Sequence, residues 1–303
     1  RLAALHPPSL ALGKADTWHR ICAVNDISKD AVAMARELCR DSAAEHEEVR
    51  LDVRTGWLAD GAKVEIQNLR AGYGSVPRDV LKGINLTFEK KSKVAIAGTT
   101  GCGKSSLLYV LLRILEPRAG RVLLDGVDTH TLGLATLRSA LGLVPQDPVL
   151  FSGTLRHNID PCGQFSDARI FQALAKVRMA ETVECAPEGL DMLVKDEGSN
   201  FSFGQRQLIC LARMVLRRPS LLLLDEATSA IDPHTQESVQ NALDETFVDA
   251  TLIAVAHRLE TVLKFDVAVV LDHGEVAESG PISELKERPG GVLRSMLETK
   301  GKW

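Results

Sequence analysis

Aromatic side chains are scarce in this chain: eight Phe, three Trp and two Tyr make up 4% of 303 residues. Nucleic-acid binders that stack bases on aromatic platforms are therefore not expected. Positive charge is not in excess either. Lys and Arg number 36 against 40 Asp and Glu, a net charge of −4, so the basic footprint of a nucleic-acid partner is missing. The six cysteines (Cys22, Cys39, Cys102, Cys162, Cys185, Cys210) are scattered and none has C-x-x-C spacing. That pattern points away from a zinc site or a disulfide scaffold and toward free thiols in a reducing compartment. No apolar run reaches the ~18 residues of a membrane span. No stretch reads as a signal peptide, an internal repeat or low-complexity sequence. The first residue is Arg1 rather than Met, so a piece of a longer protein is expected. Apolar content of 45% and charged content of 25% are those of an ordinary globular protein. The length suits one large domain or two small ones.

One stretch organises the rest. Gly98-Thr99-Thr100-Gly101-Cys102-Gly103-Lys104-Ser105 matches the phosphate-loop pattern G-x-x-x-x-G-K-[ST]. The apolar run Val94-Ala95-Ile96-Ala97 precedes it, and Leu107, Leu108, Leu111, Leu112 and Leu115 follow at helical spacing. In a strand–loop–helix context, glycines let backbone N–H groups turn inward around a phosphate, and the helix N-terminus adds partial positive charge. Lys104 then reaches the outer phosphates and the Ser105 hydroxyl binds Mg2+. Cys102 suits the loop by its small size.

Along the chain, residues 1–62 carry no chemistry. They hold a short helical pattern at Ala31, Met34, Ala35 and Leu38 and an acidic run at Glu45-His46-Glu47-Glu48. From Lys63 the pattern sharpens. Residues 64–69 and 84–88 alternate as half-buried strands, which predicts an added antiparallel sheet. Leu141–Val144, Leu221–Leu224, Thr251–Val255 and Val267–Leu271 are continuous apolar runs, the mark of parallel strands buried on both faces. Residues 154–216 read as mostly helical, an insert between sheet strands. The expected fold is α/β: a phosphate-loop core with a parallel sheet, an antiparallel β-subdomain and a helical subdomain.

The second half of a nucleotide site follows from Asp225-Glu226. A buried strand here delivers Asp225 toward Mg2+, and Glu226 stands next in line to deprotonate an attacking water. Gln146, after the 141–144 strand, could reach the metal or the water, but a turn residue is the plainer reading. His257 could contact a γ-phosphate, and Tyr73 could stack on a base. A lone residue of either kind is more often structural.

The ordered set of Tyr73, Gly98–Ser105, Gln146, Phe201-Ser202-Phe203-Gly204-Gln205, Leu221–Glu226, Ser229-Ala230-Ile231-Asp232 and His257-Arg258 resembles an ABC-transporter nucleotide-binding domain over residues 63–299. Gly142–Arg156 and Gly204-Gln205-Arg206-Gln207-Leu208 are similar to the multidrug-resistance-associated (C) group. The resemblance implies that Tyr73 stacks on adenine and that Gly98 through Ser106 cradle the ATP phosphates. It implies that Ser105, Gln146 and Asp225 hold Mg2+, while Lys104, Glu226 and His257 are catalytic. Ser202, Gly204 and Gln205 form a signature facing the γ-phosphate bound by a second nucleotide-binding domain of the same polypeptide, and Asp232 crosses that interface. The further partners implied are transmembrane domains, with this domain on the cytoplasmic side of the membrane and no nucleic acid. One departure stands out: Phe203 replaces a signature glycine. A bulky side chain there is expected to hinder close approach or a positive φ. With its own phosphate loop and Glu226 intact, the chain resembles the second, C-terminal domain of C-group full transporters. A soluble ABC ATPase acting on nucleic acid or ribosomes is the alternative. It requires long heptad arms or basic tails, and neither is present.

Overall fold

A computed structural model describes residues 60–74, 78–225, 233–256 and 259–298. The helical pattern at 31–38 and the acidic run at 45–48 lie outside these residues.

Six strands form the main sheet, in the order β12-β11-β3-β10-β9-β6. They are β3 (Lys93–Gly98), β6 (Leu141–Val144), β9 (Leu221–Asp225), β10 (Thr251–Val255), β11 (Val267–Asp272) and β12 (Glu275–Pro281). All neighbours are parallel except β11 and β12. The four apolar runs therefore became the parallel strands they were expected to be. Every residue of β9 and β10 is buried.

Strand periodicity divides these residues between two cores. Ala95, Ala97, Leu222, Leu224, Ala254, Ala268 and Val270 face one side. Val94, Ile96, Leu221, Leu223, Ile253, Val255, Val269 and Leu271 face the other. The second core receives helix α1 (Lys104–Leu111) through Leu107, Leu108 and Leu111. It also receives the antiparallel sheet of β1 (Val64–Ala71), β2 (Leu81–Phe88), β4 (Ala119–Leu124) and β5 (Val127–Asp128). That sheet was expected from residues 64–69 and 84–88. Strand β4 joins it against β1, with Val64 opposite Leu124. Helix α1 stops at Leu111, short of the Leu115 that its apolar spacing suggested. Arg113 turns into a left-handed conformation (φ 48°), and its guanidinium donates to the carbonyls of Thr129 and Leu132 at 3.0 and 2.7 Å.

The first core is filled by the block between β6 and β9. After helix α2 (Leu134–Ala140) and strand β6 come α3 (Leu155–Ile159), α4 (Asp167–Lys176), α5 (Ala180–Glu184) and α6 (Phe203–Arg217). The block is helical as expected, but it also contains a small pairing of β7 (Gly153–Thr154) with β8 (Leu193–Val194). Because β6 and β9 are sheet neighbours, the block leaves and re-enters the sheet at one edge. Helix α7 (Pro233–Thr246) leads into β10. Helices α8 (Leu259–Val262), α9 (Ile282–Leu285) and α10 (Val292–Glu298) complete the described chain.

Candidate active site

Parallel register aligns the strand ends. Val255 lies beside both Ile96 and Asp225, and Val144 lies beside Leu224. The loop after β3 and the ends of β9, β10 and β6 therefore share the carboxyl edge of the sheet, where ligands of open α/β sheets bind. Gly98 closes β3 with φ 145°, and a Cβ on it would stand 2.2 Å from the Leu271 carbonyl oxygen and 2.7 Å from Cys102 Sγ. Only glycine fits that approach. Gly103 caps α1 with φ 110°, where a Cβ would meet Leu81 Cδ2 at 2.8 Å. Thr99, Thr100 and Gly101 form the exposed rim of the loop.

Lys104 is buried, and its ammonium donates to the carbonyls of Gly98 at 2.8 Å and Thr99 at 3.1 Å. The loop is thus wrapped around its own cation. Next in sequence, the Ser105 hydroxyl donates to Asp225 Oδ1 at 3.2 Å. Residues 120 positions apart meet because only β10 separates β9 from β3 in the sheet. A hydroxyl and a carboxylate side by side are hard oxygen donors of the kind that suit Mg2+, so the residues present fit that ion. Cys102 is buried in the loop. Burial pushes its thiol pKa up, against the pull of Lys104, so the side chain stays a neutral filler.

Tyr73 is half-exposed, with its hydroxyl 3.0 Å from Ser106 Oγ. The fold thus brings it to the phosphate loop. Its own loop is braced by Arg118, whose guanidinium donates to the carbonyl of Gly74 at 2.9 Å and pairs with Asp79 at 3.1 Å. Asp79 also pairs with Arg70 at 2.7 Å. Arg70, and after it Arg118, hold the Asp79 carboxyl below the usual carboxylate range. Sequence reasoning missed this brace, because three isolated charges in separate segments carry no motif.

Gln146 lies two residues past β6, exposed at the same sheet edge. The Ser202–Gln205 group sits at the start of α6, in the helical block. Ser202 Oγ accepts from the Gln205 N–H at 3.2 Å, and the Gln205 side chain accepts from the Ser202 N–H at 2.9 Å, a capping box. Among the described residues, no hydrogen bond or ion pair joins this group to the phosphate loop. Position 203 takes no positive φ: Phe203 is the first residue of a regular helix. Its ring packs half-buried against the first core, and Arg206 lies over it at 5.6 Å. What remains of the departure is bulk at the helix start. Glu226, Asp232 and His257 lie outside the described residues, although the strands leading to Glu226 and His257 end in register.

A family profile described as ABC transporter matches residues 81–229. The curated ATP-binding cassette sub-family C member 10 of Mus musculus is 43% identical over 246 residues, covering 81% of this chain and 16% of that protein. The chain carries an ABC transporter domain. ABC transporter C family member 3 of Dictyostelium discoideum is 40% identical over 245 residues, covering 81% of this chain and 17% of that protein. For sub-family C member 2 of Homo sapiens the figures are 42% over 234 residues, 77% and 15%. The chain thus spans about a sixth of the length of these curated relatives. A solved structure of a bacterial Atm1-family ABC exporter with ATP bound superposes with a TM-score of 0.76 at 32% identity, covering 90% of this chain and 47% of that one. ABC transporter domains bind ATP, and these relatives are membrane transporters. No helix among the described residues is long and apolar enough to cross a membrane.

Proposed function

We propose that this chain binds and hydrolyses ATP to power export by a full ABC transporter of the C group, in which it is the second nucleotide-binding domain. Residues 63–303 form that domain, with residues 154–216 as its helical subdomain. The observation that carries the reading is the contact of Ser105 Oγ with Asp225 Oδ1 beside the wrapped Lys104. It joins a phosphate cradle to a metal-binding carboxylate at one sheet edge.

In this reading Tyr73 stacks on adenine, and Gly98 through Ser106 bind the phosphates through backbone N–H groups and the Lys104 ammonium. Ser105, Asp225 and Gln146 would hold Mg2+, which would supply positive charge against the phosphate oxygens. Glu226 accepts a proton from water as the water oxygen attacks the γ-phosphorus. The bond to the β-phosphate bridging oxygen breaks and ADP leaves. His257 contacts the γ-phosphate. The site closes when a partner domain lays its signature helix over that phosphate. This chain's Ser202, Gly204 and Gln205 do the same for the partner's nucleotide, and Asp232 crosses the interface.

Val149, Phe151 and Leu193 are 52%, 63% and 70% exposed. The pairing of Thr154 with Leu193 brings the segments that carry Phe151 and Leu193 side by side. Such an apolar patch suits cytoplasmic ends of membrane helices and supports a membrane-associated domain on the cytoplasmic side. No observation favours a soluble ATPase acting on nucleic acid or ribosomes. The test is Glu226→Gln in the full transporter: turnover is lost while ATP binding persists. Full ATPase activity in that variant would remove Glu226 as the base.

A further inference from the structure

The segment that carries Gln146 is fixed at both ends. At one end Val144 closes β6, paired beside Leu224 of β9. At the other end the Val149 carbonyl accepts from Arg213 Nη1 at 2.9 Å. Between them lie Pro145, Gln146, Asp147 and Pro148. Each proline has a locked φ and biases the residue before it toward extended backbone. Four residues with two prolines, tied at both ends, make a stiff bridge. Gln146 is exposed on it, two residues beyond Val144, at the sheet edge that Asp225 also reaches.

Arg213, on α6, holds more than one carbonyl. Its Nε donates to the Asn158 carbonyl at 2.5 Å and its Nη2 to Asn158 Oδ1 at 3.2 Å. Asn158 is buried. Its amide nitrogen donates to the carbonyls of Phe151 and Thr154 at 2.7 and 3.1 Å, and its Oδ1 accepts from the Phe151 N–H at 2.8 Å. One guanidinium therefore joins α6 to the far end of the bridge and to the asparagine that ties down the residues just after it. A planar fork reaches these three acceptors at once. A Lys ammonium is a single point of charge on a flexible stem and does not.

We propose that Arg213 is a positioning residue for Gln146: it anchors the far end of the bridge, and the bridge holds Gln146 at the edge where Ser105 and Asp225 would bind Mg2+. The inference rests on the reading of Gln146 as a ligand of that ion. Groups behind a metal ligand set its orientation, and their loss costs metal affinity.

The test uses the full transporter carrying Glu226→Gln. ATP affinity is measured with Mg2+ and with the metal chelated, and the ratio of the two is the metal enhancement. Arg213→Lys and Arg213→Gln are expected to cut that enhancement about tenfold and to leave metal-free ATP binding unchanged. Pro148→Gly, which loosens the bridge without touching Arg213, is expected to act in the same direction. In a Gln146→Ala background, Arg213→Lys is expected to have no further effect. An equal loss of affinity with and without Mg2+, or a second loss of enhancement in the Gln146→Ala background, overturns the proposal and marks Arg213 as purely structural. An enhancement that is unchanged in the Arg213 and Pro148 variants overturns it too. If Gln146→Ala alone leaves the enhancement intact, the metal reading of Gln146 falls, and this inference with it.

Discussion

On the proposed reading, the phosphate loop and the turn at Ser202–Gln205 are two halves that would meet across a pair of domains, and here they are built in opposite ways. The loop depends on backbone that only glycine can form, at Gly98 above all, and it encloses a buried lysine that donates to two of the loop's own carbonyls. The signature turn depends on side chains. Ser202 and Gln205 cap an ordinary helix, and Phe203 fits the backbone because the residue is helical there. A half built on backbone geometry tolerates almost no substitution, whereas a half built on a helix start tolerates a large side chain at a cost in approach. On that reading, the chain keeps its own ATP cradle intact while a partner would meet a bulkier surface.

The contrast is broken most severely at the loop. Gly98→Ala forces a Cβ against the Leu271 carbonyl at 2.2 Å. A clash of this kind in packed surroundings costs about 1–3 kcal/mol, so thermal melting is expected several degrees lower and nucleotide binding by calorimetry is expected to disappear. Binding of normal strength in that variant would show that the cradle does not need the observed backbone. A smaller effect is expected at the brace behind Tyr73. Asp79→Asn removes the charge that Arg70 and Arg118 share, and the Tyr73 loop loosens. The dissociation constant for ATP is expected to rise a few-fold with the Mg2+ dependence unchanged. Because Asp79 has a lowered pKa, the brace holds fully above the ordinary Asp value. It fades as pH falls through the lower folded value, so the gap between parent and variant closes in acid. A gap that persists there would dissociate Asp79 charge from the effect.

Much of this was legible in sequence because the signals are local. The glycines, Lys104 and Ser105 sit within eight consecutive residues, and Leu221–Leu224 announces a buried strand by composition alone. The meeting of Ser105 with Asp225 followed from the phosphate-loop pattern taken with an Asp-Glu pair at the end of a buried apolar strand. Other features depend on register or on a single torsion, and neither leaves a trace in a pattern. The Arg70–Asp79–Arg118 brace exists because Arg70 pairs opposite Ala119 across β1 and β4. Helix α1 ends at Leu111 because Arg113 turns left-handed, although the apolar spacing runs on to Leu115. Phe203 takes a helical φ, a single torsion that the missing glycine does not reveal. The capping pair at Ser202 and Gln205 was the better guide to a helix start.

Vanadate trapping of a photoreactive ATP analogue in the full transporter tests the two-halves account most directly, with the labelled peptides identified by mass spectrometry. In Phe203→Gly, label on the peptide spanning residues 98–106 is expected to match the parent protein, while trapping at the partner's phosphate loop changes. Equal loss of label at both loops would contradict the account, because Phe203 would then govern the site that this chain builds for itself.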